Sequence, residues 1–180
     1  MKLRRLLAAP ILSAGVLTAC AGGGTVLSTG PGASQHVLIS AGGTLGIARV
    51  LAGSSVALSA VLVAGAQNAV VPQNRFVWSA SVMNGGQYVA GSAGQTKPCG
   101  SVASTTSGAT TPYTPDYSVY LTIDPTNEAN VILSPPAAVP APAGSTVVVT
   151  YPYCVDVTAK AGSAAGSIVV AVVDPQDPLQ

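Results

Sequence analysis

The chain has 180 residues, which is enough for one domain of ordinary size and too few for two large ones. Charged residues make up only 7% of it, against about a quarter of an average soluble domain, which argues against a helical bundle with charged outer faces. The formal net charge of +1 gives no basic surface for phosphate groups, so nucleic acid is not an expected partner. The 20 glycines and 14 prolines favour many turns between short strands.

The first twenty residues read as an export signal. A basic start is followed by an apolar stretch at 6–17, which at about 12 residues is shorter than the roughly 20 of a membrane-spanning helix. It ends in Leu-Thr-Ala-Cys at 17–20, which resembles the lipobox of bacterial lipoproteins. The resemblance implies a cleaved signal peptide at 1–19 and a lipid on the thiol of Cys20. The alternative is an ordinary secretory signal in which Cys20 is incidental.

Residues 20–34 are predicted to be the lipidated cysteine and a flexible tether, since 21–34 is rich in Gly, Ser and Thr and uncharged. About 14 such residues reach roughly 20 Å, so the folded domain would lie close to the membrane. Two or three acyl chains hold a protein on a membrane stably. We therefore expect a lipid-anchored protein of the cell envelope. If the organism has two membranes, the outer one is expected, because Ala21 and not Asp follows the cysteine.

Trp78 is the single tryptophan and Phe76 the single phenylalanine. They are two residues apart, so in a strand both side chains leave on one face, while Arg75 and Ser79 leave on the other. One apolar face and one polar face are typical of a half-buried antiparallel strand. Aromatic side chains of this size bury about 150–250 Å² each. We therefore predict that the strand at 75–81 is the centre of the core.

Other short segments, separated by turn residues, predict about eight to ten strands and no helix, which is typical of a β-sandwich or barrel. The other predicted strands are residues 35–40, 56–63, 87–90, 117–123, 130–134, 146–151, 153–159 and 168–173, with linking segments at 65–74, 135–142 and 162–166. Because Asn84-Gly85 is a tight-turn signal, residues 87–90 are predicted to return along the strand at 75–81. Residues 91–115 fit no strand pattern and are predicted to be an insertion lying on the sheet.

Tyrosines cluster in the second half of the chain. Alternation over residues 117–123 places Tyr117 and Val119 on one apolar face, so we assign Tyr117 to the core. Tyr113 and Tyr120 are the candidate binding surface, because tyrosines among Ser and Asn form surfaces that bind proteins or carbohydrates.

Cys99 and Cys154 are an even pair in an exported protein, so a disulfide is predicted, with two free thiols as the alternative. Closing a loop of about 56 residues would stabilise the fold by about 4 kcal/mol in the chain-entropy model. Alternation places Cys154 with Asp156 and Lys160 on the polar face of its strand. The bridge is therefore expected outside the sandwich core, holding the insertion at 91–115 on the outer face of a sheet.

A search for catalytic or metal-binding residues finds few candidates. His36 is the single histidine, and with two oxidised cysteines it cannot complete a tetrahedral zinc site. Oxygens of Asp124, Asn127 and Glu128 could bind calcium, but a solvated turn explains them better. Asp116 and Asp124 lie at opposite ends of one predicted strand, too far apart for glycoside hydrolysis. We expect no cofactor, no metal and no enzymatic activity.

The order of these features resembles a bacterial immunoglobulin-like (BIG-type) domain. The matching pieces are Ala-Gly-Ser at 52–54, Val-Trp-Ser at 77–79, Gly-Gly at 85–86, Val-Pro-Ala-Pro at 139–142, and Val/Thr-rich strands at 155–159 and 168–173. The resemblance implies an immunoglobulin-like antiparallel β-sandwich with Greek-key topology at 35–175, followed by a short tail at 176–180. It also implies extracytoplasmic adhesion or spacer modules without catalytic residues. Residues 91–130 depart from the family pattern.

The sequence therefore predicts a membrane-anchored, non-catalytic binding or adhesion module whose protein or carbohydrate ligand is unknown. Such a module should expose an apolar or aromatic patch of several hundred Å². The alternative is a structural or assembly subunit of an envelope complex. That role would need an unpaired apolar strand edge, expected at residues 168–173, to which a partner adds a strand.

Overall fold

The computed structural model of the chain describes residues 35–45, 48–65, 67–73, 75–90 and 94–176. The predicted signal peptide, Cys20, the tether and most of the predicted tail lie outside these residues. The described part is nearly all β-structure: it contains no α-helix, and its single 3₁₀ turn is Ser118–Tyr120. None of its helical segments is long and apolar enough to cross a membrane.

The described residues form fifteen strands. In chain order they are β1 (Gln35–Ala41), β2 (Thr44–Leu45), β3 (Ala48–Leu51), β4 (Val56–Ala64), β5 (Ala69–Val71), β6 (Val77–Met83), β7 (Gln87–Val89), β8 (Thr96–Pro98), β9 (Val102–Thr106), β10 (Ala109–Pro112), β11 (Leu121–Ile123), β12 (Asn130–Leu133), β13 (Thr146–Val149), β14 (Tyr153–Ala161) and β15 (Ala164–Val173).

Two large sheets form the body of the protein. Sheet I has six strands in the order β11-β12-β4-β1-β2, with β5 also paired to β4, and all its pairs are antiparallel. Sheet II has the order β3-β15-β14-β6, in which only the β3–β15 pair is parallel. The inward side chains of both sheets belong to one buried apolar cluster. The two sheets therefore pack against each other as the layers of a β-sandwich.

The most deeply buried part of this core is not the strand of Trp78. Strand β6 lies at the edge of sheet II, while β14 and β15 are central and bury Val155 and Val170 completely. Phe76 and Trp78 are nevertheless buried, with 3% and 7% of their surfaces exposed. The indole Nε1 of Trp78 donates a hydrogen bond to the carbonyl oxygen of Glu128 at 2.7 Å, which links β6 to the turn before β12.

The predicted free edge at residues 168–173 is wrong. Strand β15 pairs with β14 over residues 164–172, and its last part pairs with β3 as well, so that Val170 lies opposite both Val155 and Ala48. This explains why the segment is apolar on both faces. The strand also begins earlier than expected, at Ala164, so the predicted flexible turn at 162–166 shortens to Gly162 and Ser163.

The predicted return of residues 87–90 along β6 is also wrong. Strand β7 pairs with β8, not with β6. Asn84 does not act as a simple turn residue, because its side-chain oxygen accepts the backbone N–H of Val102 and its amide donates to the carbonyl of Tyr113, both at 2.9 Å. These bonds direct the chain away from β6 and towards a separate structure.

That structure is a three-stranded sheet, here called the accessory sheet, with the order β10-β9-β13. It accounts for much of the segment at 91–115, in which sequence patterns predict no strand. Strands β9 and β10 form a hairpin whose turn residues Ser107 and Gly108 have φ of 51° and 84°. Positive φ at two central residues matches the right-handed twist of a hairpin.

The prediction of one alternating strand at 117–123 is wrong too. Tyr117 is buried, but the next three residues form the 3₁₀ turn and leave Val119 78% exposed. The backbone N–H of Ser118 donates to Asp116 Oδ1 at 2.8 Å, and the Ser118 hydroxyl accepts the N–H of Ala80 at 3.0 Å. Side-chain bonds of this kind compete with strand pairing.

Cys99 and Cys154 form a disulfide with a Cα–Cα distance of 5.6 Å. Cys154 is fully buried, but with Tyr88 and Ala171 it belongs to a cluster separate from the main core. The bridge thus lies outside the sandwich core, on the outer face of sheet II, as predicted. Alternation predicts polar surroundings for Cys154 on this face. They are not found, because Tyr88 of β7 covers that part of the face.

Replacing both Cys99 and Cys154 with alanine should lower the free energy of unfolding by about 4 kcal/mol, because the crosslink no longer restricts the unfolded chain. Urea denaturation without reductant measures the change. Cys20→Ala is the matched control and should leave the stability of the folded domain unchanged. Equal stability of the double variant and the parent protein would contradict the prediction.

Candidate binding surface

The sandwich has two distinct ends. Strand β1 begins at one of them, where Gln35 pairs with Ala64. Gly166, near the start of β15, lies at the same end, since a Cβ placed on it would come within 1.9 Å of the Val37 carbonyl oxygen. We call this the entry end. At the opposite end, here the far end, Tyr153 begins β14 beside Val172.

The accessory sheet lies at the far end. Its strand β13 is followed by only three residues before β14 starts there. The N–H of Thr150 donates to the carbonyl of Ser101 at 2.8 Å, and the N–H of Gly100 donates to the carbonyl of Pro152 at 2.7 Å. A Cβ on Gly100 would lie 1.9 Å from the Thr150 carbonyl oxygen, so only glycine permits this close approach.

One face of the accessory sheet packs on the sandwich. Val102 and Ser104 of β9 are buried, and Val147 and Val149 of β13 pack against the main core. These residues alternate with half-buried neighbours along β9 and with exposed neighbours along β13, which is the period of a half-buried antiparallel sheet.

The other face is exposed, uncharged and formed by two rows across the three strands. In one row Thr105 lies between Thr110 and Thr146, and the hydroxyls of Thr105 and Thr110 are 2.9 Å apart. In the second row Ala103 lies between Pro112 and Val148. Val148 is 58% exposed. The surface thus combines hydroxyl groups with apolar side chains.

A cluster of tyrosines joins the accessory sheet to the core. The hydroxyls of Tyr117 and Tyr153 are 3.1 Å apart, and both side chains are fully buried. Burial raises the pKa of Tyr117 to about 12 and raises the pKa of Tyr153 even further above its ordinary value. The predicted surface residues Tyr113 and Tyr120 are only half exposed and pack against this core, with the Tyr120 ring 5.0 Å from that of Tyr117.

Two shallow depressions lie on the outer face of sheet I, with volumes of about 600 and 490 Å³. They meet at Ser59 and Asn130, whose side chains are hydrogen bonded to each other. Val61 lines one depression and Ile132 the other, and both remain more than two-fifths exposed. This is a second surface of mixed polarity, which sequence patterns did not single out.

The remaining candidate residues serve local structure. Asp124 accepts bonds from the backbone and hydroxyl of Thr126, which hold the pKa of its carboxyl below the usual value. Asn127 accepts the N–H of Ala129 in the same turn. His36 is half buried, and its buried Nε2 has no hydrogen-bond partner in the part of the chain that the structure describes. Within the described ranges, no group of three or more His, Cys, Asp or Glu side chains could hold a metal ion.

No known protein family matches this chain, and comparisons with curated proteins and with solved structures find no significant match.

The tyrosine pair should make stability fall at alkaline pH. Both pKa values are raised by folding, so the stabilisation is present below the unfolded value, near 10, and is lost as pH rises through the folded value, about 12 for Tyr117. Each tyrosine contributes about 1.4 kcal/mol per pH unit in this window.

Replacing both tyrosines with phenylalanine removes the ionisable groups together and leaves no hydroxyl unpaired. The double variant should therefore lose about 2 kcal/mol less stability than the parent between pH 10 and 11, since the unfolded tyrosines are already half ionised at pH 10. Urea denaturation at each pH measures the difference, with Tyr88→Phe as the control. Parallel pH profiles for parent and double variant would contradict the prediction.

Proposed function

We propose that this protein is a lipid-anchored, non-catalytic binding module of the cell envelope. We further propose that the exposed face of the accessory sheet, supported by the half-exposed Tyr113 and Tyr120, is its binding surface. The observation that carries the proposal is the separation of the two ends of the sandwich. Strand β1 begins at Gln35 at the entry end, and the accessory sheet lies at the opposite end. An anchor at Cys20 would thus hold the entry end near the membrane and direct the accessory sheet away from it.

The proposed anchor rests on the lipobox-like residues 17–20 and on the short tether after them. With a reach of about 20 Å, the tether keeps the domain near the bilayer but leaves its far end accessible. Envelope localisation, and the outer membrane in a two-membrane organism, follow from the same residues.

We also propose that the sandwich is an immunoglobulin-like Greek key. In immunoglobulin domains strands A, B, E and D form one sheet and C, F and G the other. Strands β1, β4, β12 and β11 have the places of A, B, E and D, and β6, β14 and β15 those of C, F and G. Buried Trp78 then lies on strand C, as expected for this fold. The accessory sheet comes from additions between C and D and between E and F.

The chemistry of the accessory sheet favours a neutral ligand. Its three strands carry no charged side chain, and its exposed face presents the threonine row beside Val148 and Pro112. The disulfide and the hydrogen bonds of Asn84 hold the backbone that carries these side chains. Binding should therefore cost little conformational entropy of the backbone. A hydroxyl-rich carbohydrate or an uncharged protein surface fits this face best.

The second candidate is a structural or assembly subunit of an envelope complex. The observation that favours it is the outer edge of β13, with which no strand of the described chain pairs. An open edge of this kind can add a strand from a partner.

Intact mass spectrometry of the non-reduced protein from a bacterial membrane fraction tests the anchor. The expected mass starts at Cys20, includes the added acyl chains and is two hydrogens short for the disulfide. Cys20→Ala should leave the membrane fraction and carry no lipid. A mass that starts at another residue without lipid would contradict the proposed anchor.

A further inference from the structure

The accessory sheet has one edge open to pairing and one edge that is blocked. Strand β13 pairs with β9 so that Val148 lies opposite Ala103, and the next hydrogen-bonded pair is Thr150 with Ser101. In an antiparallel ladder, backbone groups point alternately to the two sides. The N–H and C=O groups of Val147 and Val149 therefore point away from β9, to a side on which the described chain has no strand.

The opposite edge is protected. On β10, the N–H of Tyr113 donates a hydrogen bond to the carbonyl of Val102 on β9. Because backbone groups point alternately to the two sides of a strand, those of Thr110 and Pro112 point to the outer side. Proline has no N–H to donate, and prolines and charges are the usual protection of an edge strand. The segment Thr-Val-Val-Val-Thr at 146–150 has neither.

This segment reads the same in both directions, so a second copy of the chain in antiparallel orientation presents a matching edge to it. We propose that two copies pair antiparallel along β13, around a two-fold axis at Val148, and join their accessory sheets into one continuous sheet. Val148 then faces Val148 of the second copy, and Thr146 faces Thr150. Val147 faces Val149 of the second copy. These residues form the hydrogen-bonded pairs, and their N–H and C=O groups are the ones that point away from β9.

The available hydrogen bonds favour this register over its neighbours. A two-fold axis at Val147 would pair Val149 with Ser145, whose N–H already donates to the carbonyl of Pro142 at 3.1 Å. An axis at Val149 would pair Val147 with Tyr151, which is followed directly by Pro152. Only the axis at Val148 keeps the pairing within the regular part of the strand.

The side chains are compatible with self-pairing. Val148 is 58% exposed in the single chain and would be covered by its counterpart at a non-hydrogen-bonded position, where side chains approach most closely. Like charges directly opposite each other would destabilise such a pair, and the segment has none. One edge pairing buries less than the roughly 1,200 Å² of a stable interface. The dimer should therefore form at high local concentration, as on a membrane.

Cysteine crosslinking in the full chain tests this proposal. With Val148→Cys expressed in a bacterial host, mild oxidation of the membranes should convert most of the protein to a disulfide-linked dimer, because the two residues face each other across the axis. Thr110→Cys is the matched control, since it is exposed on the blocked edge and should give little dimer. The unsubstituted chain reports any crosslinking through its own cysteines.

Val147→Pro in the Val148→Cys background tests strand pairing itself. It removes an N–H that the second copy needs but that β9 does not use, so the dimer should be lost. A mass two hydrogens short for the Cys99–Cys154 bond shows that this variant has folded. Equal crosslinking at positions 110 and 148, dimer that survives Val147→Pro, or crosslinks from position 148 only to other proteins would overturn the proposal. Cys20→Ala removes only the proposed anchor. If the purified Cys20→Ala, Val148→Cys chain still crosslinks at high concentration, a missing dimer on membranes reflects failure of the anchor. If this chain does not crosslink, the strand pairing itself is absent.

Discussion

The close approach of two chain segments at the far end of the sandwich determines where the additional structure lies. Gly100 packs directly on the backbone of Thr150, and one residue earlier Cys99 is bonded to Cys154 at the start of β14. These contacts join the long addition after β6 to the connection before β14, which are far apart in sequence. The pairing of β9 with β13 depends on this junction, and so does the position of the whole accessory sheet.

This junction also explains how a chain with so few charges can form a defined surface. The sandwich buries its apolar residues between sheets I and II. The inner face of the accessory sheet packs against the same core, as do the tyrosines of the cluster. The outer face of the accessory sheet is then a row of threonines beside Val148 and Pro112, held on a well-defined backbone. Such a face gives no electrostatic steering, so recognition would depend on shape, hydroxyl groups and apolar contact.

Alternation predicted strands where one face is more buried than the other, as in β4, β6 and β14. Alternation failed where a distant strand partner or side-chain hydrogen bonds determine the backbone conformation. Strand β9 is a Ser/Thr strand stabilised by a distant partner, and its short-range sequence has no apolar period. The side chains of Asn84 and Ser118 form backbone bonds that replace a hairpin and a strand. The size of Trp78 predicted its burial, but side-chain size does not determine how many strands lie beside β6.

The disulfide was predictable because only two cysteines remain after Cys20, whereas the proposed binding surface was not, because its rows join residues from three strands. The proposed function depends on the proposed orientation of the sandwich, with its entry end near the membrane. The most direct measurement compares labelling of Thr110→Cys at the far end and Ser163→Cys at the entry end by a bulky maleimide, with the protein on intact membranes. Because the proposed orientation places position 110 away from the membrane, labelling should be faster there. The rates at the two positions should be equal after detergent solubilisation. Faster labelling at position 163 on the membrane would contradict it.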